Sequence, residues 1–168
     1  IVHLTAKIGP GCFVGPNCNI SENVVLLPGA KLIENVTLEK DVVIGPGSVI
    51  GGWGFSVEKE NGLPRSSIPR AGISKKFPHF GGVTIGNGSN IGALNTICSG
   101  TLEPTILGKR VMTDDHVHIA HNCKIHNDVS MAMHVALSGG VEILENCWLG
   151  PSVSILQKVN VGKESIIG

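Results

Sequence analysis

Five of the seven histidines of this chain fall between His116 and His134, four of them in the run DDHVHIAHNCKIH from Asp114 to His126. Histidine is the side chain best suited to exchange protons near neutral pH, so the cluster reads first as a candidate acid–base site. His118 and His121 flank Ile119, and His116 and His134 stand eighteen residues apart. Eighteen residues beyond His121 lies Gly139, in the sequence LSGG. A glycine placed directly below a histidine can present its backbone N–H with no side chain in the way, as the stabilisation of a developing oxyanion requires.

Whether eighteen residues means "directly below" depends on what carries these groups. An aliphatic residue returns every six positions: Val2, Ile8, Val14, Ile20, Leu26, Leu32, Leu38, Ile44 and Ile50, then Ile85, Ile91 and Ile97. The series runs again from Leu107 through Thr113, Ile119, Ile125, Met131, Leu137, Ile143, Leu149, Ile155 and Val161 to Ile167, with Thr113 the one residue that is not aliphatic. A small or β-branched residue precedes most of these by two positions, as at Val24, Ala30, Val117, Cys123 and Val135, and glycine often follows, as at Gly9, Gly15, Gly45 and Gly92. A period of six fits neither an amphipathic helix nor simple strand alternation. It is a hexapeptide repeat, and a fixed short period predicts a solenoid. Three hexads make one triangular turn with parallel strands stacked about 4.8 Å apart. The expected fold is therefore all-β, a parallel β-helix occupying residues 1–168 as a single domain; the resemblance to hexapeptide-repeat proteins, whose coil is left-handed, implies a left-handed β-helix. Residues eighteen apart then share a face.

The repeat fails twice. Residues 51–82, GGWGFSVEKENGLPRSSIPRAGISKKFPHFGG, cannot join the coil and are expected to form one long excursion over a ligand, with Trp53 and Phe55 as aromatic contacts. Four extra residues around SGTLEPT, between Ile97 and Leu107, shift the register just before the histidine cluster.

Thirteen basic and thirteen acidic residues leave no net charge, which speaks against a nucleic-acid or anionic-membrane surface. No apolar run approaches the roughly twenty residues of a transmembrane helix. Cys12, Cys18, Cys123 and Cys147 fall on the small inward position, Cys98 points outward, and there is no CxxC pair. A reducing, cytoplasmic setting is favoured. The chain begins and ends inside repeats, so further domains are expected to flank it.

From about Ile44 to Val161 the sequence resembles the UDP-3-O-acylglucosamine N-acyltransferases of lipid A biosynthesis, trimeric left-handed β-helix enzymes. The resemblance rests on GWGF at 52–55 before a Pro- and Gly-containing loop, GGVTIGNGSNIGALNTI at 81–97, TILG at 105–108 and VHIAHNCKI at 117–125. It implies that His121 is the general base toward a sugar amine and that Gly139 stabilises the oxyanion. It also implies an acyl carrier protein thioester as donor, a nucleotide-linked amino sugar as acceptor and no bound cofactor. His118, Trp53, Phe55, Asn95, Asn122 and Lys158 are the expected substrate contacts, Lys158 standing where the family carries a late histidine. A thin three-sided coil offers flat faces, so a homotrimer with sites between subunits is expected.

Two other functions fit parts of the pattern. An acetyl-CoA-dependent sugar acetyltransferase would suit Lys158 as a phosphate contact. A zinc enzyme similar to the γ-class carbonic anhydrases would use the H-x4-H pair His121 and His126. A catalytic zinc needs three protein ligands, though, and Val83 to Thr113 contains no histidine. No metal is expected.

Overall fold

The computed structural model describes residues 1–59 and 74–168; the middle of the expected excursion, residues 60–73, lies outside the described residues. Among the described residues the coil strands form three parallel sheets, of eight, seven and seven strands. Partners are eighteen residues apart wherever the repeat is unbroken, as in Lys7 with Val25, His118 with Ala136 and Trp148 with Ile166. At the small insertion the step becomes 22, as in Thr96 with His118. Across the excursion it becomes 47, as in Val36 with Val83. The coil therefore closes over both interruptions and keeps its register.

Each hexad turns its aliphatic residue into a continuous core: Ile20, Leu32, Ile44, Ile97, Ile119, Leu137 and Leu149 are at most 2% exposed. Burying such a side chain contributes roughly 1.5–3 kcal/mol. Thr113, the exception in the series, is also inward, and its Oγ1 accepts a hydrogen bond from Gly92 N–H at 3.1 Å. Val2, Ile8 and Val159, near the two ends of the stack, are exposed despite their register.

Two backbone devices turn the corners. The residue directly after the aliphatic one lies against the next coil's backbone; a Cβ on Gly92 would sit 2.6 Å from Asp114 carbonyl atoms. The third residue after it takes positive φ along most of the chain: Asn17, Asn23, Asn35, Asp41, Asn122, Asp128 and Asn146 all lie between 54° and 60°. Asn and Asp tolerate this left-handed conformation better than other side-chain-bearing residues.

The described ends of the excursion are tied into the coil, beyond what the sequence suggested. Its first residues continue the strand Val49–Trp53, which pairs with Thr96–Ser99 across a bulge at Gly51, where φ is +83°. It then leaves as Val57–Lys59, antiparallel to the returning Ser74–Lys76. It rejoins the coil on the small insertion, through Phe80 N–H to Thr101 O at 2.8 Å, Gly81 N–H to Gly100 O at 2.9 Å and Gly82 N–H to Ser99 Oγ at 2.8 Å. The two breaks in the repeat are thus bonded to each other. Among the described residues no helix is long and apolar enough to cross a membrane.

Candidate active site

The joined breaks fold over one corner of the coil, the turn that carries His121. Asn122 organises that corner. Its Oδ1 accepts from Thr101 N–H and Oγ1 at 3.2 and 3.1 Å, and its Nδ2 donates to Glu103 O at 3.1 Å. These partners leave only one orientation for the amide. His121 Nδ1, 3.0 Å from the same Oδ1, must therefore be the ring's N–H donor, and Nε2 carries the lone pair. Asn122, expected to touch substrate, instead clasps the insertion and fixes the base's tautomer.

Gly139 lies one turn below. A Cβ there would stand 2.6 Å from His121 Nε2 and 2.7 Å from Cε1, so any side chain would push the imidazole aside. Its φ is not in the left-handed range; that conformation belongs to Gly140, at +70°. The requirement at Gly139 is space, and its N–H has no partner among the described residues. On the other side Gly54 packs against His121, where a Cβ would come within 3.0 Å of the ring's Cβ and Cδ2.

Two residues absent from the sequence-based set complete the corner. Ser56 Oγ is 3.1 Å from His121 Nε2. His79 is fully buried, with its ring edge-to-face against His121 at a centroid distance of 5.2 Å. Its Nδ1 donates to Phe77 O at 2.8 Å, while its Nε2 is buried without a partner among the described residues. Burial holds the His79 imidazole below its ordinary pKa, and the nearby His121 and Lys76 charges push it the same way against the bond to Phe77. A buried polar atom left unpaired costs about 1–3 kcal/mol, a cost that concentrates at working sites.

His121, Gly139 and Gly54 line a cavity of about 440 Å³ with Trp53, Phe55, Lys76, Cys98, His118 and Gln157. Trp53, Phe55 and Lys76 of the excursion wall one side of it within this chain. Trp53 is fixed at its rim by Nε1 donating to Glu34 Oε1 at 3.0 Å, and Phe55 is 88% exposed. His118 lies on the open face with Nδ1 2.7 Å from Thr96 Oγ1, its pKa lowered by partial desolvation. Burial pushes the Cys98 thiol up, away from the thiolate.

Two expected contacts sit elsewhere. Asn95 is 1% exposed because it falls two residues before Ile97, on the inward position. Its side chain is consumed within the coil by Ala93 O, Asp114 O and Val117 N–H. Lys158 packs its stem beneath Gly140, and its neighbour Gln157 lines the cavity instead. His126 turns away from His121 to meet Glu142 at 2.9 Å and Glu145 at 3.6 Å. No group of three or more His, Cys, Asp or Glu able to hold a metal occurs among the described residues.

Fold and site together define a hexapeptide-repeat β-helix with a histidine-centred cavity. Residues 17–52 match the family model for bacterial transferase hexapeptide (six repeats). The chain is a hexapeptide-repeat protein, and it is similar to the UDP-3-O-acylglucosamine N-acyltransferases. That of Pseudomonas syringae pv. tomato is 38% identical over 129 residues, 77% of this chain and 34% of the relative. Among solved structures, the Francisella novicida UDP-N-acetylglucosamine acyltransferase aligns with a TM-score of 0.68 at 26% identity, covering all of this chain and 58% of that one. LpxA from Acinetobacter baumannii aligns at 0.75 and 20% identity, covering 100% and 64%, and supports the fold alone. The chain spans about a third of the length of the curated relatives it matches.

Proposed function

We propose that the cavity transfers an acyl group from a thioester of acyl carrier protein or coenzyme A to the amine of a nucleotide-linked amino sugar. The observation that carries this reading is the His121 corner. Asn122 holds the ring as the Nδ1–H tautomer, and Nε2, 3.1 Å from Ser56 Oγ, stands over Gly139. In this reading Nε2 takes the nucleophile's proton, and Gly139 N–H meets the carbonyl oxygen as it becomes an oxyanion. Trp53 and Phe55 offer apolar surface at the rim for the sugar nucleotide or the donor's arm, and His118 contacts the bound ligand from the open face. The 38% identity to N-acyltransferases named for a UDP-linked sugar favours an amine acceptor. The working unit is a cytoplasmic homotrimer in this reading.

A matrix of UDP- and dTDP-amino sugars against acyl carrier protein thioesters and acetyl-CoA tests it. Turnover with an acyl carrier protein thioester and a UDP-amino sugar is expected. Turnover with acetyl-CoA alone would make the chain an acetyltransferase, and no turnover with any pair would sink acyl transfer. Light scattering reporting a monomer at micromolar concentration would contradict the trimer.

A further inference from the structure

We propose that Ser56 is a positioning residue for His121: its hydroxyl holds the Nε2 lone pair and must yield it before the base can take a proton from the acceptor. The inference deepens the acyl-transfer reading, on which it rests for the acceptor, and takes its contact from the structure. A neutral imidazole has one lone pair, so whatever donates to Nε2 must come along that one direction. Ser56 Oγ occupies it at 3.1 Å. Thr101 and Glu103 fix the Asn122 amide, whose Oδ1 lies 3.0 Å from His121 Nδ1. Nδ1 therefore carries the proton, and the serine hydroxyl donates to Nε2. An acceptor's proton and the serine hydroxyl compete for the same lone pair.

Among the described residues that hydroxyl has no other partner, whereas a structural serine ties its hydroxyl to the backbone of a turn or a strand edge. The Ser56 backbone is anchored instead: its C=O accepts from Phe77 N–H at 2.7 Å, at the base of the antiparallel pair Val57–Lys59 and Ser74–Lys76. The residue is 6% exposed and lines a groove of about 230 Å³ with Glu58, Phe77, Thr101 and Leu102, separate from the cavity of His121 and Gly139. Ser56 thus holds the base from outside the cavity, and the groove gives the displaced hydroxyl a place to turn.

The ring does not depend on this bond for its place. Asn122 holds Nδ1, and the Gly139 backbone lies so close beneath that a Cβ there would stand 2.6 Å from Nε2. Gly54 packs against the ring's Cβ and Cδ2, and His79 meets it edge-to-face at a centroid distance of 5.2 Å. Removing the hydroxyl therefore frees the lone pair and leaves the imidazole where it is. One ordinary hydrogen bond is worth roughly 2- to 10-fold in an equilibrium, and that is the competition an acceptor must overcome. It falls on the amino sugar, whose proton goes to Nε2, and not on the thioester.

Diethyl pyrocarbonate reads the lone pair without presuming the reaction, because it carbethoxylates an imidazole through an unengaged ring nitrogen. Tandem mass spectrometry separates His121 from its neighbours His116 and His118. Ser56→Ala should be carbethoxylated at His121 roughly 2 to 10 times faster than the native chain, with the rate at His118 unchanged as the internal reference. Ser56→Gly removes the same hydroxyl, so a result shared by both variants belongs to the hydroxyl. A second arm measures turnover of an acyl carrier protein thioester with a UDP-amino sugar. kcat/KM for the amino sugar should rise by the same factor in both variants through a lower KM, with kcat and the thioester KM near native. A merely structural serine would lower kcat in both and give no gain. Equal carbethoxylation of His121 in the native chain and both variants, or a fall in kcat/KM for the amino sugar, overturns the proposal and leaves acyl transfer standing. Faster carbethoxylation of the variants with no turnover in any of the three chains sustains the hold of Ser56 on Nε2 and overturns the acyl-transfer reading.

Discussion

The coils from Thr105 onward and the coils that hold the two interruptions are built from the same hexad, yet they treat their polar residues differently. In the uninterrupted part polar groups meet partners one coil away, on or beside the eighteen-residue rows. The His116 and His134 rings lie 5.1 Å apart, Arg110 forms a two-pronged pair with Asp128, and His126 faces Glu142. Where the coil is interrupted, residues far apart in sequence cross the rows and converge on one imidazole. Ser56, His79 and Asn122 surround His121, and two of the atoms there, His79 Nε2 and Gly139 N–H, have no partner among the described residues. A stacked coil supplies evenly spaced groups on a flat face. Only an interruption supplies a second wall, and a second wall is what turns a row of histidines into a cavity.

The largest effects should come from the corner itself. His121→Ala is expected to lower turnover of a thioester and amino-sugar pair by roughly 10² to 10⁴. Gly139→Val should do comparable damage by displacing the ring, and even Gly139→Ala would place a methyl 2.6 Å from Nε2. His118 stands on the same face above Ala136, without a glycine beneath it, so His118→Ala should cost less. Steady-state kinetics of these variants, each with an unchanged melting temperature, would sharpen the contrast. A native kcat in His121→Ala beside a crippled His118→Ala would break it.

In the uninterrupted coils the order reverses, and stability responds instead of chemistry. Ile143 is fully buried in the regular stack, so Ile143→Ala should cost roughly 2–5 kcal/mol in denaturant unfolding. Turnover per folded molecule should survive. An Ile143→Ala chain of native stability would mean that the stack carries less of the fold than its burial indicates.

How much of this was legible beforehand follows the same divide. The period identified the inward residues, and the eighteen-residue rule selected Gly139 beneath His121, because regular coils are governed by one-dimensional spacing. Asn95 was misassigned although the rule already held the answer: it is two before Ile97 and therefore inward. Ser56 and His79 were not legible, because no periodicity governs a segment that leaves the coil and returns. The one available signal was the position of His79 immediately before Phe80 and the Gly81–Gly82 pair where the chain re-enters the stack.

The excursion itself should divide in two. Replacing residues 60–73 with a short glycine linker should shift the melting temperature little, because the flanking strands Val57–Lys59 and Ser74–Lys76 already pair. Removing everything to residue 82 should destabilise clearly, since it strips the Phe80, Gly81 and Gly82 bonds to the small insertion and the buried His79. Equal melting temperatures for the two deletions would return the whole segment to the status of a surface loop.

The smallest expected effect is a dependence of stability on pH. Burial lowers the pKa of His79 and partial desolvation lowers that of His118, each from the ordinary histidine value of 6.5. The groups facing His79 are His121 and Lys76, both of which add to the lowering as charges, while Phe77 O opposes it; His118 faces Thr96. Both folded values therefore lie below the unfolded one. Between them the unfolded chain binds more protons than the folded chain, so stability rises with pH across that window and falls as pH drops through 6.5. Below the folded values the loss is complete. The carboxylates act in a lower window: Asp128, depressed by its hydrogen bond from Arg110, and Glu145, depressed first by its own backbone N–H, lose their contribution as pH falls below the ordinary values of 3.8 and 4.5. Melting temperatures from about pH 8 to about pH 5 should thus decline on the acid side for the native chain. His79→Phe removes the titrating group and the unpaired Nε2 together, so its curve should be the flatter, with the gap to the native chain opening only below 6.5. His118→Ala should flatten the curve less, because His118 lies on the exposed face. An unchanged acid slope in His79→Phe would show that the ring against His121 is not buried as a neutral imidazole, and would remove the clearest difference between the interrupted coils and the regular ones.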